Sequence, residues 1–185
     1  MIKKLITVVC LSVLAAACSP MFDVSYTSDP EANFKAYVTY DLMDNEAFDL
    51  TPSAAAEFAG RRKVMEEELV KALHTYMQAE GFKLDENNPD ILVAYYVGVR
   101  GEIFVAQFGF DYNDVSSPAA VETVQDGSMR IDLVDTETKK VAWSGSGHGA
   151  VNRDPTEDMI RKNVDRAVKK ILEQYPPTKS PYSRQ

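Results

Sequence analysis

The side chains with the widest chemical range here are two histidines, His74 and His148, two cysteines, Cys10 and Cys18, and the acidic residues Asp132, Asp135 and Glu137. Imidazoles bind zinc or relay protons, but a structural zinc site takes about four ligands and a catalytic one about three. Neither histidine has a partner histidine at helical spacing or a cysteine cluster, so no metal is assigned. No G-x-S-x-G elbow accompanies them, so no nucleophilic triad is assigned either. Asp135 and Glu137 fall in a polar turn, Asp135-Thr136-Glu137-Thr138-Lys139-Lys140, without the ligand spacing of a calcium loop. Gly145-x-Gly147-x-x-Ala150 has the outline of a dinucleotide fingerprint, which requires a helix starting inside the glycine turn. Here the next helix is expected only near Pro155, and the glycines are read as relieving crowding in a twisted strand. No catalytic residue and no cofactor is expected.

Cys18 carries a different chemistry. It follows Lys3, Lys4 and an uncharged, mostly apolar stretch over residues 5–17. That stretch falls short of the roughly 20 residues that cross a bilayer and has the layout of a cleavable secretory signal. Leu14-Ala15-Ala16-Ala17-Cys18 resembles the lipobox of bacterial lipoproteins. The resemblance implies cleavage before Cys18, a diacylglyceryl thioether on its sulfur and an acyl chain on its new amino group. Two or more chains make a stable anchor, at about 0.8 kcal/mol per buried methylene. The leucine stands four places before the cysteine, whereas the commonest pattern has it at three. Ala15-x-Ala17 also fits ordinary signal peptidase, which would release a soluble periplasmic protein with a free Cys18. Cys10 leaves with the leader on either reading, so the remainder has no disulfide pair and must rest on a hydrophobic core. Ser19, where inner-membrane retention is associated with aspartate, implies the outer membrane.

The formal net charge is −8, and loss of Lys3 and Lys4 makes the remainder more acidic still. Nucleic acid is bound through basic surface that releases counterions, and anionic lipid through polybasic patches. An acidic chain fits neither, so membrane attachment is left to Cys18 and nucleic acid is excluded as a partner.

The elements follow from periodicity. Phe22, Val24 and Tyr26 alternate with polar residues, as in a strand. The aromatic and β-branched residues 34–40 are read as a second strand and residues 41–51 as a loop. A helix is expected from Pro52 or Ser53 to Glu80, or only from Arg61 because Gly60 weakens its start. Met65, Leu69, Ala72, Leu73 and Tyr76 form its apolar stripe, and Gly81 ends it. Ile91–Val99 is near-continuously apolar, the mark of a central strand buried on both faces, with residues 102–110 as its partner. Residues 111–120 form a polar loop. Met129, Ile131 and Leu133, the polar turn, and Val141-Ala142-Trp143 make a hairpin. In the last helix Asp154 is expected to cap, with Pro155 in the first turn and Glu157 closing a capping box. Ile160, Val164, Ala167, Val168, Ile171 and Tyr175 form its buried face, and Pro176-Pro177 stops it.

Four segments are similar to the domain-of-unknown-function 4136 family of bacterial lipoproteins. They are Asn33-Phe34-Lys35-Ala36-Tyr37-Val38-Thr39-Tyr40, Pro89-Asp90-Ile91-Leu92-Val93-Ala94-Tyr95, the hairpin from Gly127 through Trp143-Ser144-Gly145, and Tyr175-Pro176-Pro177. The resemblance implies a helix-on-sheet domain on a lipid anchor and brings no activity with it. The expected fold is α+β: a mostly antiparallel sheet of four to six strands with two long helices on one face, a two-layer sandwich. The expected organisation is a signal peptide over 1–17, a lipidated tether over 18–22, a single domain over 23–177 and a disordered tail over 178–185. Trp143 is read as a core anchor, with a ligand platform as the other role open to it. Phe108, Phe110 and Tyr112 either form a surface for an envelope protein partner or complete the core. The expected function is a binding or structural module in the envelope. A periplasmic hydrolase and a lipid or small-molecule carrier are the alternatives.

Overall fold

The computed structural model describes residues 22–43, 52–99, 102–105, 127–152 and 154–177. Along the chain these form β1 (Phe22–Ser28), β2 (Thr39–Leu42), α1 (Pro52–Ala79), β3 (Lys83–Leu84), β4 (Ile91–Val99), β5 (Glu102–Val105), β6 (Gly127–Asp135), β7 (Val141–Gly149) and α2 (Glu157–Leu172). The strands share one sheet in the order β1-β7-β6-β4-β2-β3, and β5 pairs with the far end of β4. β1, β7, β6, β4 and β5 are joined antiparallel, whereas β2 runs parallel to β4 and β3 parallel to β2. This is the expected α+β fold with a mostly antiparallel sheet, extended by the two-residue β3.

Alternation in the strands builds one apolar face. Ile91, Val93, Tyr95 and Val97 of β4, Met129, Ile131 and Leu133 of β6, and Trp143 of β7 join Leu69, Leu73 and Met77 of α1 and Val168 and Ile171 of α2 in a single core. β4 is central, flanked by β6 on one side and by β2 and β5 on the other, as its apolar run predicts. The two helices run in the same direction. Arg61 pairs with Asp154, Arg161 approaches Glu68 at 3.5 Å, and Tyr76 donates to Asp165 at 3.0 Å, so residue numbers rise together along both helices. Glu68 is buried and also holds Lys71 at 3.0 Å, so the acidic side of this interhelical contact is paired twice. The glycines of β7 make room for the core as expected. A Cβ on Gly145 would come within 2.6 Å of Ile171 Cγ2, and one on Gly147 within 2.6 Å of the Phe22 ring.

Two local expectations are corrected. Residues 34–40 are not one strand: residues 34–36 form a turn, and β2 begins at Thr39 and runs through Asp41 and Leu42, residues expected to open the loop. The reason is that the aromatics serve packing. Phe34 meets Tyr37 edge-on at 6.1 Å, the Tyr37 hydroxyl donates to Asp135 at 2.7 Å, and Asp90 accepts the N–H groups of Val38 and Thr39 at 2.8 Å each, in place of a sheet partner. The cap of α2 is Thr156, not Asp154. Its hydroxyl accepts from the Met159 N–H at 3.3 Å, the capping geometry that satisfies a first-turn donor, while Asp154 faces Arg61.

Candidate functional site

Two polar arrangements depart from what packing alone requires. The first is a groove of about 310 Å³ between α1 and the β2 side of the sheet. Glu66, Val70 and His74 recur every four residues along α1 and form its helical wall. Asp41, Leu42 and Met43, Leu84 and Glu86, and Tyr95 close the rest. His74 of this wall lies, through its Nδ1, 2.8 Å from the hydroxyl of the fully buried Tyr40. If the tyrosine donates, the imidazole proton sits on Nε2. Burial pushes the Tyr40 hydroxyl above its ordinary range, which keeps it protonated. The groove thus combines an imidazole hydrogen-bonded to a buried hydroxyl, three carboxylates and an apolar wall.

The second lies on the sheet face away from the helices. Asp132, in the middle of β6, has no exposed surface, and its neighbours Ala94, Val134 and Ala142 are each 2% exposed. Arg130 Nε donates to Asp132 Oδ1 at 2.8 Å and stands over the Tyr96 ring at 5.8 Å, while Oδ2 has no hydrogen-bond partner among the described residues. Burial pushes the Asp132 carboxyl above its usual range, against the pull of Arg130. A buried carboxyl beside a guanidinium about a third exposed can hold or release a proton.

The structure separates the acidic residues that the sequence sets close together. Asp135 accepts from the N–H groups of Glu137 at 2.9 Å and Thr138 at 2.7 Å and from Tyr37, and so serves the hairpin turn. Burial raises its carboxyl, but these bonds outweigh it and leave it lowered. Glu137 is exposed. Trp143 is fully buried against Tyr26, 6.4 Å between ring centres, and Tyr175, at 5.8 Å, so it is core. His148 is exposed on β7 and His74 lines the groove; among the described residues no three His, Cys, Asp or Glu side chains are grouped to hold a metal. Among the same residues no helix is long and apolar enough to cross a membrane. Cys18, Phe108, Phe110 and Tyr112 lie outside the described residues. The Tyr40–His74 pair escapes sequence reasoning because Tyr40 reads as one more apolar strand residue.

A two-layer α+β domain with two parallel helices on one face of a mixed sheet defines the class. The chain belongs to the family of the domain of unknown function DUF4136, whose model matches residues 24–177. No curated protein matches the chain. Among solved structures, a PDZ domain protein from Parabacteroides distasonis is similar at 12% identity and a TM-score of 0.52, over 95% of this chain; the chain spans 40% of that protein's length. A DUF4136 family protein from Bacteroides thetaiotaomicron is similar at 16% identity and a TM-score of 0.49, covering 84% of this chain and 96% of the other. A PelC dodecamer from Paraburkholderia phytofirmans is similar at 17% identity and a TM-score of 0.41, covering 82% and 95%.

Proposed function

We propose that this protein is a lipid-anchored envelope protein whose domain faces the periplasm and works as a binding or structural module rather than an enzyme. The observation that carries the reading is Cys18, placed directly after Leu14-Ala15-Ala16-Ala17 and separated from β1 only by Ser19, Pro20 and Met21. A cysteine there has no disulfide partner once Cys10 is removed, and acylation gives its sulfur a use. Ser19 beside the anchor supports the outer membrane as its destination. Confinement to a thin layer raises the domain's effective concentration for neighbouring envelope partners, and its acidity argues against nucleic acid among them.

Palmitate labelling of cells producing the protein or its Cys18→Ala variant tests this. The wild type is expected to be labelled and to sediment with the outer membrane, and the variant to be neither. Equal labelling of the two, or a wild type with an unmodified terminal thiol that stays in the aqueous fraction, would reject the reading.

A further inference from the structure

We infer that the end of the domain formed by Phe22, Gly127 and Gly149 lies against the lipid bilayer, with the turn between β6 and β7 held away from it. This rests on the reading of Cys18 as the acylated residue and adds an orientation to it. An extended chain covers at most about 3.5 Å per residue, so Phe22 stays within about 14 Å of Cys18. The sheet register then fixes what accompanies Phe22. It stands opposite Gly149, Gly149 stands opposite Gly127, and Gly127 opposite Val99. The starts of β1 and β6 and the ends of β4 and β7 therefore make one end of the sheet. β7 leads from this end into α2, and Asp154, just before α2, meets Arg61 on the parallel α1. Phe22 itself packs beside the last turn of α2, where Lys170 Nζ stands 5.9 Å over its ring.

The opposite end is about 27 Å away, eight residue steps along β6 at about 3.4 Å each. Near Phe22 the surface carries Met159, 36% exposed and next to Asn152, and the half-buried Val151. Asp154 and Asp158 there are each paired with a cation, Arg61 and Lys162, while Asp23 and Glu157 are exposed beside them. At the far end Asp29, Asp90 and Asp135 accept backbone N–H groups, and Val38 and Leu84 are exposed beside them. The tether and the register of the sheet together select this end, the one at Phe22. Because no basic patch is needed, the orientation does not depend on salt.

With Cys10 removed and Cys18 capped, a cysteine introduced by Ala150→Cys or by Glu137→Cys is the only free thiol in the acylated full-length protein. Each variant is labelled with a bimane fluorophore and reconstituted into phosphatidylcholine vesicles containing a doxyl-labelled lipid. Quenching at position 150 is expected to exceed that at 137 at least threefold, at low and at high salt alike. Equal or reversed quenching in protein that is acylated and sediments with the vesicles would overturn the orientation alone. Protein that carries no acyl mass and stays in solution would overturn the lipoprotein reading, and the orientation with it.

Discussion

At Asp132 burial and charge pairing oppose each other, and burial wins: the carboxyl is pushed up although Arg130 pulls it down. A carboxyl with a raised folded-state pKa takes up its proton more readily in the folded protein. The associated stability is fully present below the ordinary carboxylate range and is lost as pH rises through the folded value. At neutral pH the charged group is therefore a net liability, and Arg130, about a third exposed, can turn to water without it. Asp132→Asn is expected to be at least as stable as wild type at pH 7 in urea unfolding, with the difference shrinking as pH falls toward 4. A loss above about 1 kcal/mol at pH 7 would mean that the charged hydrogen bond dominates. Asp90 behaves in the opposite way. Backbone donors from Val38 and Thr39 hold its carboxyl below the usual range, so its contribution is present at neutral pH and fades in acid.

Among the elements, α2 shows how an N-terminus is chosen. Asp154, Thr156 and Glu157 all carry side chains suited to capping, and the backbone selects Thr156, whose extended φ of −70° and ψ of 161° aim its hydroxyl at Met159. Thr156→Ala is expected to cost about 1 kcal/mol, within the range for lost caps. Asp154→Ala removes a surface ion pair whose acid is 87% exposed, and is expected to cost no more than about 0.5 kcal/mol. Chemical denaturation of both variants checks the assignment, and a reversed order would return the cap to Asp154. At the other end, Lys169 and Lys170 sit in the last turn, where positive charge complements the helix dipole.

For the molecule as a whole, Tyr175 is the point where distant parts of the chain meet. It follows α2, is 5% exposed, and its ring lies 5.8 Å from Phe34, 5.6 Å from Phe82 and 5.8 Å from Trp143. The segment before β2, the entry to β3 and strand β7 are thereby joined through one side chain. Burial pushes its hydroxyl up to about 12, so it stays neutral throughout the physiological range. Tyr175→Ala is expected to lower unfolding stability by about 3–5 kcal/mol, as for other large aromatic truncations, whereas Tyr175→Phe should stay within about 1 kcal/mol. A mild alanine variant would show that the C-terminal segment packs independently of the sheet.

Periodicity along the sequence was enough to determine β1, the central β4, the β6–β7 hairpin, the buried stripes of both helices and the crowding-relief role of Gly145 and Gly147. Each depends on neighbours within a few residues, and local spacing records which side of an element is apolar. The family was legible for the same reason, since its signature lies in contiguous segments. The tertiary structure alone decided that residues 34–36 turn instead of pairing, that β2 and β3 run parallel beside β4, and that Asp132 is buried. It also decided that Tyr40 meets His74 and which sheet end lies beside β1's start. Those outcomes depend on register and on contacts between residues far apart in the chain, and a one-dimensional pattern of apolar and polar side chains does not encode which distant strand becomes the neighbour.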